Sequence, residues 1–282
     1  MIRIAVQKSG RLYEESMQLL RDCGIMVRKG KNQLKAVSDN FPLEVYFLRD
    51  DDIPQYVEDK VAHLGIVGEN VLYEKNKAVK IVEPLGFGKC RLSIAIPKNE
   101  FYDDVLFLQG KKIATSYPAL TKKFLKENNI EAEIHEISGS VELAPGIGLA
   151  HAVCDLVSSG STLLMNGLEE VQTIMNSQAV LISAALDQEQ QILLDQLLFR
   201  IRAVRKAKKN KYILLNAPNH ALEAIKKLLP GMKSPTVLPL ADEGWSSVHS
   251  VLNEDEFWEK IEALKNAGAQ GILVVPIEKM IV

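Results

Sequence analysis

The sequence predicts an α/β protein with two lobes and a smaller domain at its C-terminal end. Three observations carry that reading. Apolar runs of strand length alternate with amphipathic helical stretches from Ile2 to about residue 184. Several of those runs pass straight into small or charged residues and then a helix start, the form of a strand feeding a helix at a sheet edge. The last segment reads β-α-β-β-α-β, the split pattern of a four-stranded sheet with two helices.

The bulk numbers set the class. At 282 residues the chain has room for two or three compact units. A net charge of −2 gives no basic field, so neither nucleic acid nor a membrane surface is expected as a partner. No apolar run approaches the roughly 20 residues of a spanning helix, and Ile2–Val6 reads as a strand instead of a signal peptide. A cytoplasmic protein is the expectation. Cys23, Cys90 and Cys154 are scattered without CxxC spacing, so reduced thiols are expected, with neither zinc nor a disulfide framework.

Ile2–Val6 has the composition of a buried strand. Gln7–Arg11 turns from it into a helix running to about Cys23, with Leu12, Met17, Leu19, Leu20 and Cys23 as apolar positions. Lys8 and Arg11 therefore stand at the carboxyl edge of the sheet, where open α/β sheets bind ligands. They are either surface cations or partners for phosphate charge. Glu44–Arg49 is the next strand. After it, Asp50, Asp51 and Asp52 are explained first as caps of the helix that follows. One or two such acids also suit Mg²⁺ alongside substrate phosphates, but no metal ligand is assigned. His63–Val67 is a strand leading through Gly68 to a helix start at Glu69-Asn70. The glycine-rich stretch Pro84–Arg91 follows the strand Val79–Val82 and reads as a hinge between lobes. Lys89 and Arg91 flank it, either meeting an anion in the cleft or lying on the surface.

Leu92–Ile96 opens the second lobe. Lys112–Thr115 is a strand, Ser116–Pro118 leads into a helix from about Ala119 to Asn128, and Glu131–Ile137 is a strand. Ser138-Gly139-Ser140 opens another helix, kept short by Pro145 and the glycines after it. Glu142 near its start is either a capping acid or an acceptor for sugar hydroxyls. The most informative stretch is His151–Leu163. Its apolar run Ala152–Val157 carries one acid, Asp155, and ends in Ser158, Ser159, Gly160, Ser161 and Thr162, with Leu163–Leu168 as a short helix. Small residues let backbone N–H groups approach phosphate oxygens, and a helix start adds unpaired donors. Asp155, just before the loop, suits sugar hydroxyls. A core strand followed by an ordinary Ser/Gly turn is the plainer reading. His151 reads as a strand-entry surface residue before it reads as an acid or base.

Residues 171–184 read as one or two strands returning to the first lobe. From Gln188 to about Lys209 an amphipathic helix follows, with Ile192, Leu193, Leu197, Ile201 and Val204 on one face. Seven of the twelve residues Arg200–Lys211 are Lys or Arg, a solvated cationic helix end without the aromatic interleaving of a nucleic-acid site. The closing segment comprises Tyr212–Ala217, Ala221–Leu229, Thr236–Leu240, Trp245–Leu252, Asp255–Ala267 and Gly271–Pro276. Pro230-Gly231 and Ala267-Gly268 stop its two helices.

The His151–Leu163 stretch resembles the phosphoribosyl-pyrophosphate loop of the ATP phosphoribosyltransferase family, whose members open histidine biosynthesis. The likeness continues in Gln7–Arg11, Arg49–Pro54, Gly65–Val71, Ala114–Pro118 and Pro276–Met280, and spans essentially the whole chain. It is the long, regulated form that the chain resembles. The resemblance implies a two-lobed catalytic part like a type II periplasmic binding protein, with residues 1–88 and 179–208 as lobe I and 89–178 as lobe II. Residues 209–282 would be a ferredoxin-like regulatory domain.

The implied reaction condenses ATP with phosphoribosyl pyrophosphate, with Mg²⁺ as cofactor and pyrophosphate as leaving group. Asp155, Lys8 and Arg11 are the implied catalytic residues. The phosphoribosyl pyrophosphate would be held by Asp155, Ser158, Ser159, Gly160, Ser161, Thr162 and Glu142. Histidine is the implied inhibitor, at Asn216, Ser234, Thr236 and Gly271; Asn216 stands where the family often has an acid. A homo-oligomer, dimer or hexamer, is implied too. Two lobes, a hinge and an anion-friendly cleft also fit a cytoplasmic solute-binding sensor without catalysis, and the same loop fits phosphoribosyl transfer to another base.

Overall fold

The computed structural model describes residues 1–281; Val282, the last residue of the expected regulatory domain, lies outside the described residues. The chain divides into two compact units, with the boundary between Leu194 and Asp195.

The first unit holds two sheets. The first is built from β1 (Ile2–Gln7), β2 (Lys35–Val37), β3 (Leu43–Leu48), β4 (Leu64–Gly68) and β5 (Lys80–Pro84), with α1 (Arg11–Asp22), α2 (Ile53–Glu58) and α3 (Glu69–Lys75) between them. The second contains β6 (Cys90–Pro97), β7 (Lys112–Thr115), β8 (Glu133–Glu136), β9 (Ala152–Val157) and β10 (Leu168–Ser177), with α4 (Pro118–Glu127) and α5 (Ser161–Met165). The chain then returns through β11 (Ala179–Ser183) to the first sheet and leaves along α6 (Gln188–Lys208).

Strand order is β2-β3-β1-β4-β11-β5 in the first sheet and β10-β6-β9-β7-β8 in the second. In each, three strands are parallel and ordered around a central one: β3, β1 and β4, then β8, β7 and β9. Each sheet also inserts one antiparallel strand next to that trio, β11 beside β4 and β6 beside β9. Both inserted strands lie at a crossing between the sheets, so the lobes are joined twice, at Leu85–Lys89 and at Gln178. This is the two-lobed architecture the sequence predicts.

Burial explains the run types. Ile4, Ala5 and Val6 of β1 and Ala179–Ile182 of β11 are fully buried, as central strands covered on both faces must be. Strand β3 alternates buried and half-buried residues instead. Because β1, β3 and β4 run parallel, Lys8, Asp50 and Gly68 come out at one carboxyl edge. By the same logic β7 and β9 deliver Ser116 and Ser158 to one edge of the second sheet.

Several boundaries differ from expectation. The helix expected over Leu163–Leu168 is α5, Ser161–Met165; Gly167 at φ 71° breaks it and Leu168 begins β10. The helix expected after Ser138–Ser140 is only a 3₁₀ turn, Val141–Leu143. Of the strands expected to return to the first lobe, β10 pairs antiparallel with β6 in the second sheet, and only β11 returns. The short edge strand β2 was not foreseen, since three residues give no readable alternation. Residues 179–208 were expected together in lobe I, but the division falls inside α6. A helix of 21 residues is about 31 Å long, enough to run out of one unit and into the next.

The second unit adds β12 (Asn210–Pro218), α7 (Leu222–Leu228), β13 (Thr236–Pro239), β14 (Trp245–Asn253), α8 (Glu254–Asn266) and β15 (Gln270–Pro276) to the end of α6. Its sheet is antiparallel throughout with order β13-β14-β12-β15, the ferredoxin-like arrangement. Ile213, Leu215, Ala217 and Val248 turn inward onto Ile225, Phe257 and Leu264 of the helices. Helix α8 is started by Asn253, whose side chain accepts from the Asp255 N–H at 3.0 Å, with three acids in the first turn. No helix among the described residues is long and apolar enough to cross a membrane.

Candidate active site

The two carboxyl edges of the first unit meet around a pair of adjoining cavities that share Asp50 and Val71. One, of about 360 Å³, is lined by Gln7, Arg11, Gly88, Cys90 and Ser158 among others. The second, of about 300 Å³, is lined by Ser116, Tyr117, Glu136, Ser138 and Asp155. The first therefore offers a guanidinium and hydroxyls, and the second a wall of carboxylates and hydroxyls. Phosphate suits the one and ribose hydroxyls the other.

Arg11, at the first position of α1, donates through Nη1 and Nη2 to the Ser158 hydroxyl at 3.3 and 3.4 Å. Arg91 grips Glu170 through two nitrogens and donates through Nη1 to the Ser158 carbonyl at 3.3 Å. The loop beyond is held by its own side chains. The Ser159 and Ser161 hydroxyls are 2.9 Å apart, and the Ser161 N–H donates to the Ser159 hydroxyl at 3.4 Å. Gly160 sits at φ 79°, a left-handed turn that a side chain would strain, and so aims the start of α5 back at the loop. Ser159, Gly160, Ser161 and Thr162 line neither cavity; of the loop only Ser158, itself exposed, lines the first.

Asp155 lies opposite Ser93 on β6 and accepts from the Leu156 N–H at 2.8 Å. Burial pushes its carboxyl above the usual carboxylate range; the Leu156 N–H opposes this, and the negative charge of Glu142 adds to it. Glu142 is thus close enough to Asp155 to be felt. It caps nothing, since the turn it sits on has no side-chain cap. The Tyr117 hydroxyl is likewise pushed up, by burial first and then by Asp155 and Asp50.

Lys8 lies in the turn between β1 and α1 but lines neither cavity, and its side chain is exposed. Its carbonyl accepts from Lys29 Nζ at 2.8 Å, which in turn stacks over the Tyr13 and Phe47 rings. His151 stands outside both cavities, its Nδ1 accepting from the Lys112 N–H at 3.0 Å.

Sequence reasoning weighed Asp50 as a cap before a Mg²⁺ partner, and gave Tyr117 no role. Asp50 looked like a cap, yet neither the 3₁₀ turn Asp50–Asp52 nor α2 has a side-chain cap. Burial, then the neighbouring Asp51, raises its carboxyl instead. The signal available was three acids where capping needs one. Tyr117 gave no signal beyond its place between a strand and a helix.

In the second unit Asn216 stands at an irregularity of β12, opposite Ser247 and beside Gln270. Gly271 adopts φ +56°, and a Cβ there would be 3.5 Å from Asn216 Nδ2, so these two positions are adjacent. Thr236 is on the edge strand β13, paired with His249 of β14, and Ser234 lies in the turn before it. One strand, β14, separates that pair from Asn216.

Comparison with known proteins places the whole chain in a family. The family model described as ATP phosphoribosyltransferase matches residues 49–203, and that of its C-terminal domain matches residues 207–279. The ATP phosphoribosyltransferase of Cytophaga hutchinsonii is 58% identical over 99% of this chain and 98% of its own length. That of Bacteroides thetaiotaomicron is 56% identical over 100% of both. Among solved structures, a chain of the ATP phosphoribosyl transferase (HisG:HisZ) complex from Thermotoga maritima superposes with TM-score 0.62. It is 26% identical and covers 72% of this chain and 99% of its own. A histidine kinase sensor domain with similarity to periplasmic binding proteins, 11% identical, covers 73% of this chain and 90% of its own with TM-score 0.50, a likeness of fold alone. The chain belongs to the ATP phosphoribosyltransferase family.

Proposed function

We propose that this protein condenses ATP with phosphoribosyl pyrophosphate to N1-(5-phosphoribosyl)-ATP and pyrophosphate, the first step of histidine biosynthesis. The observation that carries the reading is the pairing of the Arg11–Ser158 bridge with the half-buried Asp155, on two sheet edges that meet at one site. The sensor alternative rests on two lobes, a hinge and an anion-friendly cleft, and the family does not favour it.

The chemistry needs no covalent nucleophile. The electron pair of the C1–oxygen bond leaves with pyrophosphate, and the N1 lone pair of adenine forms the new bond to C1. Positive charge builds on the ribose between the two, so orientation and placed charge are the main tools. The backbone N–H groups and hydroxyls of Ser158–Thr162 hold the 5′-phosphate, and Asp155 with Glu142 orients the ribose hydroxyls. Arg11 turns from Ser158 to phosphate oxygens, and Lys8 adds charge from the rim.

Mg²⁺ is proposed as the cofactor. This ion keeps to one or two carboxylates plus substrate phosphates. Asp50 fits that demand, because a cation beside it relieves the repulsion and burial that raise its carboxyl. Asp51 is its neighbour in that role. When bound, the ion would neutralise charge on the leaving pyrophosphate.

Histidine is proposed to inhibit by binding the second unit at Asn216, Ser234, Thr236 and Gly271. The amide and hydroxyls suit an amino acid's ammonium and carboxylate, and Gly271 admits close backbone approach. Such a coupling amounts to about 1–3 kcal/mol. A cytoplasmic homo-oligomer, dimer or hexamer, completes the proposal. The test is pyrophosphate release from ATP, phosphoribosyl pyrophosphate and Mg²⁺, with and without millimolar histidine. Release that histidine suppresses is expected. Release only when another base replaces ATP would refute the acceptor.

A further inference from the structure

Helix α4 begins without a cap of its own. Tyr117 at its N-cap position offers no side-chain hydrogen bond, and Pro118 opens the first turn. The next two backbone donors are nonetheless satisfied. The Glu74 carboxylate, on α3 of the other lobe, accepts from the Ala119 N–H at 2.8 Å and the Leu120 N–H at 2.9 Å. A cap normally comes from the residue that starts the helix; here a different lobe supplies it.

One turn earlier on α3, Asn70 reaches the same segment, donating through Nδ2 to the Tyr117 hydroxyl at 3.2 Å. Asn70 is itself fixed. Its Oδ1 accepts from the Ser177 hydroxyl at 2.8 Å, and its N–H donates to the Ser177 oxygen at 3.1 Å. Gly68 leaves room for this rotamer, since a Cβ there would fall 2.3 Å from Asn70 Oδ1. Asn70 and Glu74 are spaced i and i+4, so they present one face of α3 to the segment Ser116–Leu120. That segment carries Ser116 and Tyr117 into the Asp155 cavity.

We propose that Glu74 is a positioning residue: by capping α4 across the cleft it holds the two lobes at the separation at which Asp50 of one and Asp155 of the other line one cavity. The proposal rests on the phosphoribosyltransferase reading only for its kinetic part. The joint differs from the Arg11–Ser158 bridge, which substrate phosphate must displace: Glu74 lines the Asp155 cavity, but both its oxygens are taken by backbone donors of α4. Without that joint, less of the protein is in the binding-competent arrangement and both substrates lose affinity together, while saturating substrates refill that arrangement.

The test uses the full-length chain and the variants Glu74→Ala and Glu74→Gln. Hydrogen exchange by mass spectrometry reads the peptide containing Ala119 and Leu120, and steady-state kinetics reads both substrates. In Glu74→Ala that peptide should exchange about tenfold faster, in line with the loss of a helix cap. The KM values of both substrates should rise together by about three- to tenfold, with kcat kept within about twofold. Glu74→Gln, which keeps one carbonyl acceptor, should fall between, and it carries the test if the alanine variant fails to fold. Unchanged exchange in the variants would overturn the proposal, as would a fall in kcat with both KM values unchanged. A wild-type protein that releases no pyrophosphate would defeat the enzymatic reading instead, and the exchange measurement would still decide whether Glu74 caps α4.

Discussion

Arg11 and Ser158 are 147 residues apart in the chain, yet the guanidinium of one donates twice to the hydroxyl of the other. Each is the product of a strand that ends at a sheet edge, β1 for Arg11 and β9 for Ser158. Their meeting joins the two lobes of the first unit at the wall of one cavity. Arg11 is exposed and the bonds are long, so a phosphate competes for it readily.

Replacing Arg11 by Lys keeps the charge but loses the fork that spans two oxygens. KM for phosphoribosyl pyrophosphate should rise by roughly tenfold, the scale of one charge-assisted hydrogen bond. KM for ATP should change less. Initial-rate kinetics with each substrate varied in turn checks both.

Asp155→Ala should lower kcat/KM by about tenfold or more through lost orientation of the ribose, with the fold intact. Asp155 also costs the fold something. Its carboxyl is raised by burial, so the folded state disfavours its ionised form. A raised folded-state value gives stability that is present at low pH and lost as pH climbs through it. Asp155→Asn removes that loss, and its Tm at neutral pH should equal or exceed the wild-type value. Thermal melts with circular dichroism on both variants settle the sign.

The same shift predicts a pH profile. Ribose hydroxyls donate to the ionised carboxylate, so kcat/KM should fall as pH drops through the raised Asp155 value, at a higher pH than an ordinary carboxylate would give. In Asp155→Asn this acid limb should disappear along with most of the activity. A pH series of kcat/KM for the two proteins is the measurement.

Asn216 lies against Gly271 with an amide where an acid would pair with an ammonium. Asn216→Asp should tighten histidine inhibition by about fivefold, the value of turning a neutral hydrogen bond into a charge-assisted one. Inhibition curves at fixed substrate check this, and unchanged curves would remove Asn216 from the effector site.

The parts legible in the sequence are those with local causes. The central strands announce themselves through runs such as Ile4–Val6 and Ala179–Ile182, because strands covered on both faces need continuous apolar residues. The strand–loop–helix course after Asp155 was legible because an apolar run, a cluster of small residues and a helical pattern follow one another, although those residues fit an ordinary turn as well. The misreadings are places where distant partners decide. Asp50 looks like a cap in sequence, but its neighbours in space are a cavity and Asp51. Arg91 was read as either meeting an anion in the cleft or lying on the surface; Glu170 on β10 holds it. Whether one strand or two return to the first lobe over 171–184 was left open, since nothing in the residues of β10 says that β6 lies beside it.

The central claim is that Ser158–Thr162, directly behind Asp155, holds a sugar phosphate that Arg11 approaches from the opposite lobe. A crystal structure with phosphoribosyl pyrophosphate and Mg²⁺ tests it most directly. The 5′-phosphate should lie within hydrogen-bond distance of the loop N–H groups, with the ribose hydroxyls on Asp155 and Arg11 turned from Ser158 to phosphate oxygens. A ligand bound elsewhere, with the loop empty and the Arg11–Ser158 bridge intact, would contradict it.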